Sequence, residues 1–145
     1  MTDYPAPSAP DYGRSLQGIG LNLIVTDVAR AIAFATKVLD AELRFKTDLF
    51  AAMRLSGHNF MFHADQTYRG TPLQGILADA PARGIGIELR TYEVDPDEAE
   101  ARARALGYTI LGASIDKPHG LRECMILDDD GYLWIPSRHL LASTS

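Results

Sequence analysis

The sequence predicts an α+β domain: two tandem βαβββ modules forming one curved mixed sheet, with helices outside and a concave cleft within. Three observations carry this. The hexapeptides GIGLNL (18–23) and GIGIEL (84–89) stand 66 residues apart. Each leads into a segment with a helix-capping residue and helical spacing. Each helix is then followed by strand-like sequence that closes in a hairpin. A lone module of about 60 residues with one helix on one sheet would have a marginal core, so two copies must combine. The chain of 145 residues fits that single domain.

Residues 1–15, MTDYPAPSAPDYGRS, hold three prolines and little apolar content. They read as a mobile arm, or an arm tied down by a partner subunit. The domain proper spans 16–138, with modules at about 16–64 and 83–138 and a crossover at 65–82. In the first module Leu21, Leu23 and Val25 alternate with Gly20, Asn22 and Ile24, which is strand periodicity. Thr26 or Asp27 caps the helix that follows. Its apolar face is Val28, Ala31, Ile32, Ala35, Val38 and Leu39. LFAAMRL–SGHN–FMFH then forms a hairpin. The crossover carries a helical turn near Leu77. In the second module Asp95 is the N-cap, Pro96 suits the first helical position, and Asp97 and Glu98 complement the helix dipole. Glu98–Arg102 and Glu100–Arg104 stand four apart, and Gly107 stops the helix. RECMIL–DDDG–YLWIP closes the second hairpin, and 139–145 is a tail. Superposing Gly57 on Gly131 pairs Phe60 with Trp134 and Met61 with Ile135.

Composition narrows the function. A net charge of −5 without a lysine/arginine cluster argues against nucleic acid. Apolar runs fall far short of the ~18 residues a membrane span needs. The N-terminus has no basic segment followed by an apolar stretch, and Cys124 has no second cysteine to pair with, so a reducing cytoplasm is expected. DDDG (128–131) is hairpin chemistry, because a calcium loop spaces its acids and ends in glutamate. GIGLNL lacks the third glycine of a dinucleotide fingerprint.

Taken together, GIGLNLIVTDVARAIAF, GIGIELRTYEVDPDEAEARARALG and the closing KPHGLRECMILDDDGYLWIP resemble the vicinal-oxygen-chelate superfamily of glyoxalases, extradiol dioxygenases, fosfomycin-resistance and bleomycin-binding resistance proteins. The resemblance covers about 16–138. It implies, in the metal-dependent members, one divalent ion held by His, Glu or Gln from the first and last strands of each module. Counting seven residues back from Asp27 and Asp95 puts the first-strand positions on Gly20 and Glu88. The last-strand positions fall on Met61 and Ile135. Glycine and isoleucine offer no donor and thioether sulfur is soft, so no metal and no cofactor are expected. The hexapeptide match instead pairs Gly20 with Gly86, a shift of two that keeps every side chain on its face.

The same alternation puts Ile85, Ile87 and Leu89 under the helix, and Gly86, Glu88 and Arg90 in the cleft. Asn22, Ile24, Met61, His63, Glu123, Met125, Leu133 and Ile135 share the concave side, while Phe60, Phe62 and Trp134 face the helices. His119, in the loop KPHGLRE, stands at the rim. An apolar wall would raise the pKa of Glu88 unless Arg90 offsets it. Cys124 packs away from the cleft and is inert.

The leading expectation is a metal-free small-molecule binding protein, a homodimer, sequestering an aromatic or cationic ligand. Met61, Met125, Leu133 and Ile135 would enclose it, and Asn22, His63, Glu88, Arg90, His119 and Glu123 would fix its polar groups. The alternative is a lyase, isomerase or hydrolase with Glu88 as catalytic general base, assisted by His63 or His119, or with a non-standard metal on Glu88, His63 and Glu123.

Overall fold

Asp27 and Asp95 start the two long helices. In the computed structural model, which describes residues 5–80 and 82–142, Asp27 Oδ1 accepts from the Arg30 amide at 2.9 Å. Asp95 Oδ1 accepts from the Asp97 and Glu98 amides at 2.9 and 3.1 Å. Each cap satisfies amides that lack an intrahelical partner and stabilises by about 1 kcal/mol. The elements run α1 (Ala9–Ser15), β1 (Asn22–Val25), α2 (Val28–Lys37), β2 (Glu42–Lys46), β3 (Phe50–Leu55) and β4 (His58–Ala64). A 3₁₀ helix (Asp65–Tyr68) and α3 (Pro72–Ala78) follow, then β5 (Gly84–Thr91), α4 (Pro96–Ala105), β6 (Thr109–Asp116), β7 (Leu121–Leu127) and β8 (Tyr132–His139). No helix among the described residues is long and apolar enough to cross a membrane.

Both βαβββ modules are present, and the β-structure divides into two four-stranded sheets ordered β1-β4-β3-β2 and β5-β8-β7-β6. In each, the outer pair (β1–β4, β5–β8) is parallel and the others antiparallel. The first hairpin turns on Ser56 and Gly57, with φ of 48° and 81°. Two left-handed residues match the twist of the flanking strands.

The helix-side faces of the two sheets share one core. Leu23, Phe60 and Phe62 from the first sheet join Leu89, Ile126 and Trp134 from the second. Phe34 of α2 reaches Tyr108 at 4.8 Å and Trp134 at 6.1 Å, and Phe60 lies 5.9 Å from Trp134. α4 buries Pro96 at its start and the small residues Ala99 and Ala103, which let it lie close on the second sheet.

Polar links tie the modules together. Asp130, 7% exposed, accepts from the Thr26 amide at 3.2 Å and its hydroxyl at 2.8 Å. Thr26 is therefore engaged across the module boundary, and Asp27 alone caps α2. Tyr132 donates its hydroxyl to Ile24 O at 2.8 Å, and Arg83 forks onto Asp65 at 2.5 and 2.8 Å. Asp128 accepts from the Asp130 and Tyr132 amides and from the Trp134 indole at 3.0 Å. The acids of DDDG thus serve the hairpin and the module contact.

Three features depart from the sequence pattern. Residues 9–15 of the arm form α1, N-capped by Ser8, while residues 1–4 lie outside the described residues. Ile85 and Ile87, expected under the helix, are 60% and 59% exposed. The cause is an irregularity: Gly84 pairs with Tyr132 but Glu88 with the next residue, Leu133, so 85–87 loop out of register. The third concerns the repeat itself. Asn22 lies opposite Met61 and Arg90 opposite Ile135. Asn22 and Arg90 are therefore equivalent, which is the registration given by the helix caps. The hexapeptide match is two residues off it.

Replacing Asp130 with alanine strips the Thr26 amide of its partner across the module boundary. We expect a loss of about 1–3 kcal/mol in urea unfolding, with one cooperative transition retained because the shared core is intact.

Candidate binding site

The ladder registers decide which side chains share a face. On the first sheet, away from the core, Asn22 stands beside Met61, and Ile24 and Phe50 beside His63. Phe45 lies opposite Ala52, itself opposite Met61. His63 Nδ1 is 2.6 Å from Asn22 Oδ1, and Asn22 Nδ2 donates to Tyr68 Oη at 3.0 Å. The Phe50 ring lies 4.7 Å from His63, and Tyr12 of α1 meets Phe45 at 5.0 Å and Phe50 at 5.6 Å. Burial pushes the His63 pKa below the ordinary histidine value.

The corresponding face of the second sheet is charged. Arg90 Nη1 donates to Glu88 Oε2 at 2.7 Å, and Nη2 donates to Glu123 Oε2. The same Glu123 oxygen lies 3.2 Å from His119 Nε2. Glu123 is 7% exposed, and its carboxylate is tolerated there because it is paired. The hydrogen bond to Glu88 raises the Arg90 pKa, keeping the guanidinium charged against the effect of burial.

Arg90 sits on β5 and Glu123 on β7, so their bridge crosses β8. Leu133 and Ile135, expected to line the cleft, are only 6% and 1% exposed, although they share the face of Glu88 and Arg90 and stand outside the common core. Arg90 stands opposite Ile135 and Glu123 opposite the equally buried Ser137, so the two ends of the bridge flank β8. Met125 lies over Gly112, whose added Cβ would come 3.3 Å from the thioether sulfur.

Of the expected residues, the structure brings Glu88, Arg90, Glu123 and His119 into one cluster, and Asn22, Met61 and His63 onto one face. No hydrogen bond or ion pair joins the two sets among the described residues. Neither histidine is hydrogen-bonded to Glu88. Glu88 and Arg90 instead line an open cleft of about 480 Å³ between the modules, with Leu21, Leu55 and Phe60 on the facing wall. That wall, and the aromatic residues Tyr12, Phe45, Phe50 and Tyr68, were not identified from the sequence. Phe50 was detectable in principle, since it precedes Ala52 by two on a strand. Tyr12 and Tyr68 sit outside any periodic segment and leave no signal.

A family model described as Glyoxalase/Bleomycin resistance protein/Dioxygenase superfamily matches residues 19–135. The chain belongs to this superfamily. TioX from Micromonospora sp. ML1 is 25% identical, with 88% of this chain and 100% of that one covered and a TM-score of 0.60. A glyoxalase/bleomycin resistance protein/dioxygenase from Nocardioides is 22% identical over 95% and 97%, with a TM-score of 0.63. The fosfomycin resistance protein FosX from Listeria monocytogenes is 19% identical over 87% and 96%, with a TM-score of 0.61. The latter two are likenesses of fold. No curated protein matches the sequence.

The metal positions implied by the superfamily do not fit an ion here. Gly20, Met61 and Ile135 offer no hard donor, and the Glu88 carboxylate is held by Arg90. The alternative set of Glu88, His63 and Glu123 is not assembled: among the described residues no three His, Cys, Asp or Glu side chains come close enough to hold a metal.

Cys124 is 1% exposed, its thiol faces Pro96 O at 3.5 Å, and burial pushes its pKa up to about 12. A thiol that stays protonated is a poor nucleophile. Iodoacetamide at pH 8 should leave the native protein unlabelled over hours and label it completely in urea, read by intact mass. Arg90→Ala should cost about 2 kcal/mol or more in unfolding free energy by stranding the Glu123 carboxylate. Adding Glu123→Leu should recover most of that loss.

Proposed function

We propose that this superfamily member is a metal-free small-molecule binding protein that sequesters an aromatic or cationic ligand. The observation that carries the reading is the state of Glu88. It is the sole hard donor among the four metal positions of the family, and it is already paired with Arg90. Its side chain is half exposed and borders the cleft between the modules. Glu88 and Glu123 share one guanidinium, leaving an excess of negative charge that suits a ligand cation. The apolar wall of Leu21, Leu55 and Phe60 suits its hydrophobic body.

The same reading extends to a homodimer. β1 and β5 are edge strands, and exposed Ile19, Leu21, Ile85 and Ile87 lie on or beside them. Unpaired edges flanked by bare isoleucines favour pairing with a second chain. In such a dimer the aromatic face of one protomer's first sheet lies against the charged face of its partner's second sheet. That contact would complete a cleft that one chain leaves in two pieces. It would also explain why the predicted pocket residues fall into separate sets.

An enzyme with Glu88 as general base is the competing reading. The Arg90 guanidinium already engages Glu88 Oε2 at 2.7 Å, so one of the two oxygens a base would use is occupied. Glu88→Gln separates the two. A binder should lose no more than about tenfold in affinity for a cationic aromatic ligand found by thermal-shift screening, since one charge-assisted contact is lost. A general base should lose about 10²–10⁴ in turnover. Ligand-induced stabilisation should also survive exhaustive dialysis against EDTA. Loss of binding that returns on adding a divalent ion would refute the metal-free reading. Sedimentation equilibrium should give twice the chain mass, falling to a monomer with Ile85→Lys/Ile87→Lys.

A further inference from the structure

The segment that carries α1 is joined to the body by very little. Of residues 5–20, all are exposed except Tyr12, which is partly buried. Their polar contacts stay within the segment. Ser8 Oγ accepts from the Asp11 amide at 3.3 Å, Arg14 pairs with Asp11 at 3.2 Å, and the Ser15 hydroxyl donates to Tyr12 O at 2.6 Å. Among the described residues, no hydrogen bond or ion pair joins 5–20 to the sheets. What holds α1 is the Tyr12 ring, edge-on to Phe45 at 5.0 Å and to Phe50 at 5.6 Å. Space remains around that ring. A cavity of about 260 Å³ is lined by Pro5–Pro7 and Tyr12 together with Arg44, Phe45 and Arg54. Another, of about 680 Å³, is lined by Tyr12 and residues 15–21 together with 57–61. After the helix Leu16 is extended, and Gly18 takes a φ of 68°, which glycine adopts without strain. A helix of seven residues is marginal in water by itself, so α1 depends on its one docked ring.

We propose that α1 is a self-docked lid: Tyr12 occupies the Phe45 and Phe50 rings of its own chain, and those rings become accessible only when α1 lifts away about Gly18. The contact is autoinhibitory. A molecule that needs the two rings binds only the open fraction of the protein, and its apparent affinity falls by that fraction. Linkage makes the effect reciprocal, so a molecule seated on the rings must hold the lid open. The lid acts on the first sheet, whereas the binding reading above turns on Glu88 of the second.

The test uses the full chain with 8-anilinonaphthalene-1-sulfonate, a fluorescent probe of accessible aromatic surface, and with trypsin cleavage after Arg14 read by intact mass. Cleavage there requires α1 to unwind. Tyr12→Ala should bind the probe about fivefold or more tightly than the wild type, and be cut after Arg14 faster by a similar factor. Tyr12→Phe should match the wild type, since the ring and not the hydroxyl makes the contact. Saturating probe should speed cleavage after Arg14 in the wild type and leave it unchanged in Tyr12→Ala. Cys124 should stay unlabelled by iodoacetamide in both variants, which places the gain in the lid and not in a loosened core. Equal probe affinity in the wild type and Tyr12→Ala, binding to neither, or cleavage indifferent to the probe would each overturn the proposal. So would Tyr12→Phe behaving as Tyr12→Ala, or a gain accompanied by labelling of Cys124. None of these outcomes touches the binding reading, which falls on the Glu88→Gln and EDTA results instead.

Discussion

Each four-stranded sheet is covered by a single long helix, and everything else follows from how the two modules share their core. α2 brings Val28, Phe34 and Ala35, and α4 brings Pro96, Ala99 and Ala103. Neither set covers a sheet of this size. The helix-side faces therefore join through Phe34, Phe60 and Trp134, and the tight polar contact of Asp130 with Thr26 holds them in place. With those faces committed to stability, the opposite faces are left for other groups. That is where Asn22 and His63 stand on one sheet, and Arg90 and Glu123 on the other.

The two open faces have solved the problem of exposed polar groups differently. On the second sheet an internal cation, Arg90, pairs with Glu88 on its own strand and with Glu123 across β8. A charge pair in such a place is tolerated only because each partner is satisfied. On the first sheet a neutral chain of Tyr68, Asn22 and His63 is bordered by aromatic rings, with Glu42 and Arg54 further along the same face.

α1 bears on this chemistry although none of its residues is buried. Its docking through Tyr12 on Phe45 and Phe50 adds a ring to the aromatic face. Edge-to-face pairs of this kind contribute about 0.5–1.5 kcal/mol each, enough to hold a short helix in position without anchoring it firmly.

Much of the fold was legible in local chemistry. Asp27, Asp95, Pro96 and Gly107 announced the helix ends, Ser56–Gly57 and DDDG announced the hairpins, and period-two alternation put Phe60 and Trp134 in the core. The superfamily followed from that order of elements. What misled was similarity of letters: GIGLNL and GIGIEL match, yet hydrogen bonding to β4 and β8 sets the true equivalence two residues away and loops Ile85 and Ile87 outward. The site was legible only as faces. Sequence alternation placed Glu88, Arg90, Glu123, Asn22, Met61 and His63 together on the concave side, because side-chain direction along a strand is a local property. Which of them touch, that Arg90 would reach Glu123 across β8, that Tyr12 would meet Phe50 and Tyr68 would meet Asn22, and that the two sets stand apart in one chain, depended on how separate strands and a distant helix pack. Arg90–Glu123, Tyr12–Phe50 and Asn22–Tyr68 join residues 33 to 46 positions apart, and no local periodicity encodes them.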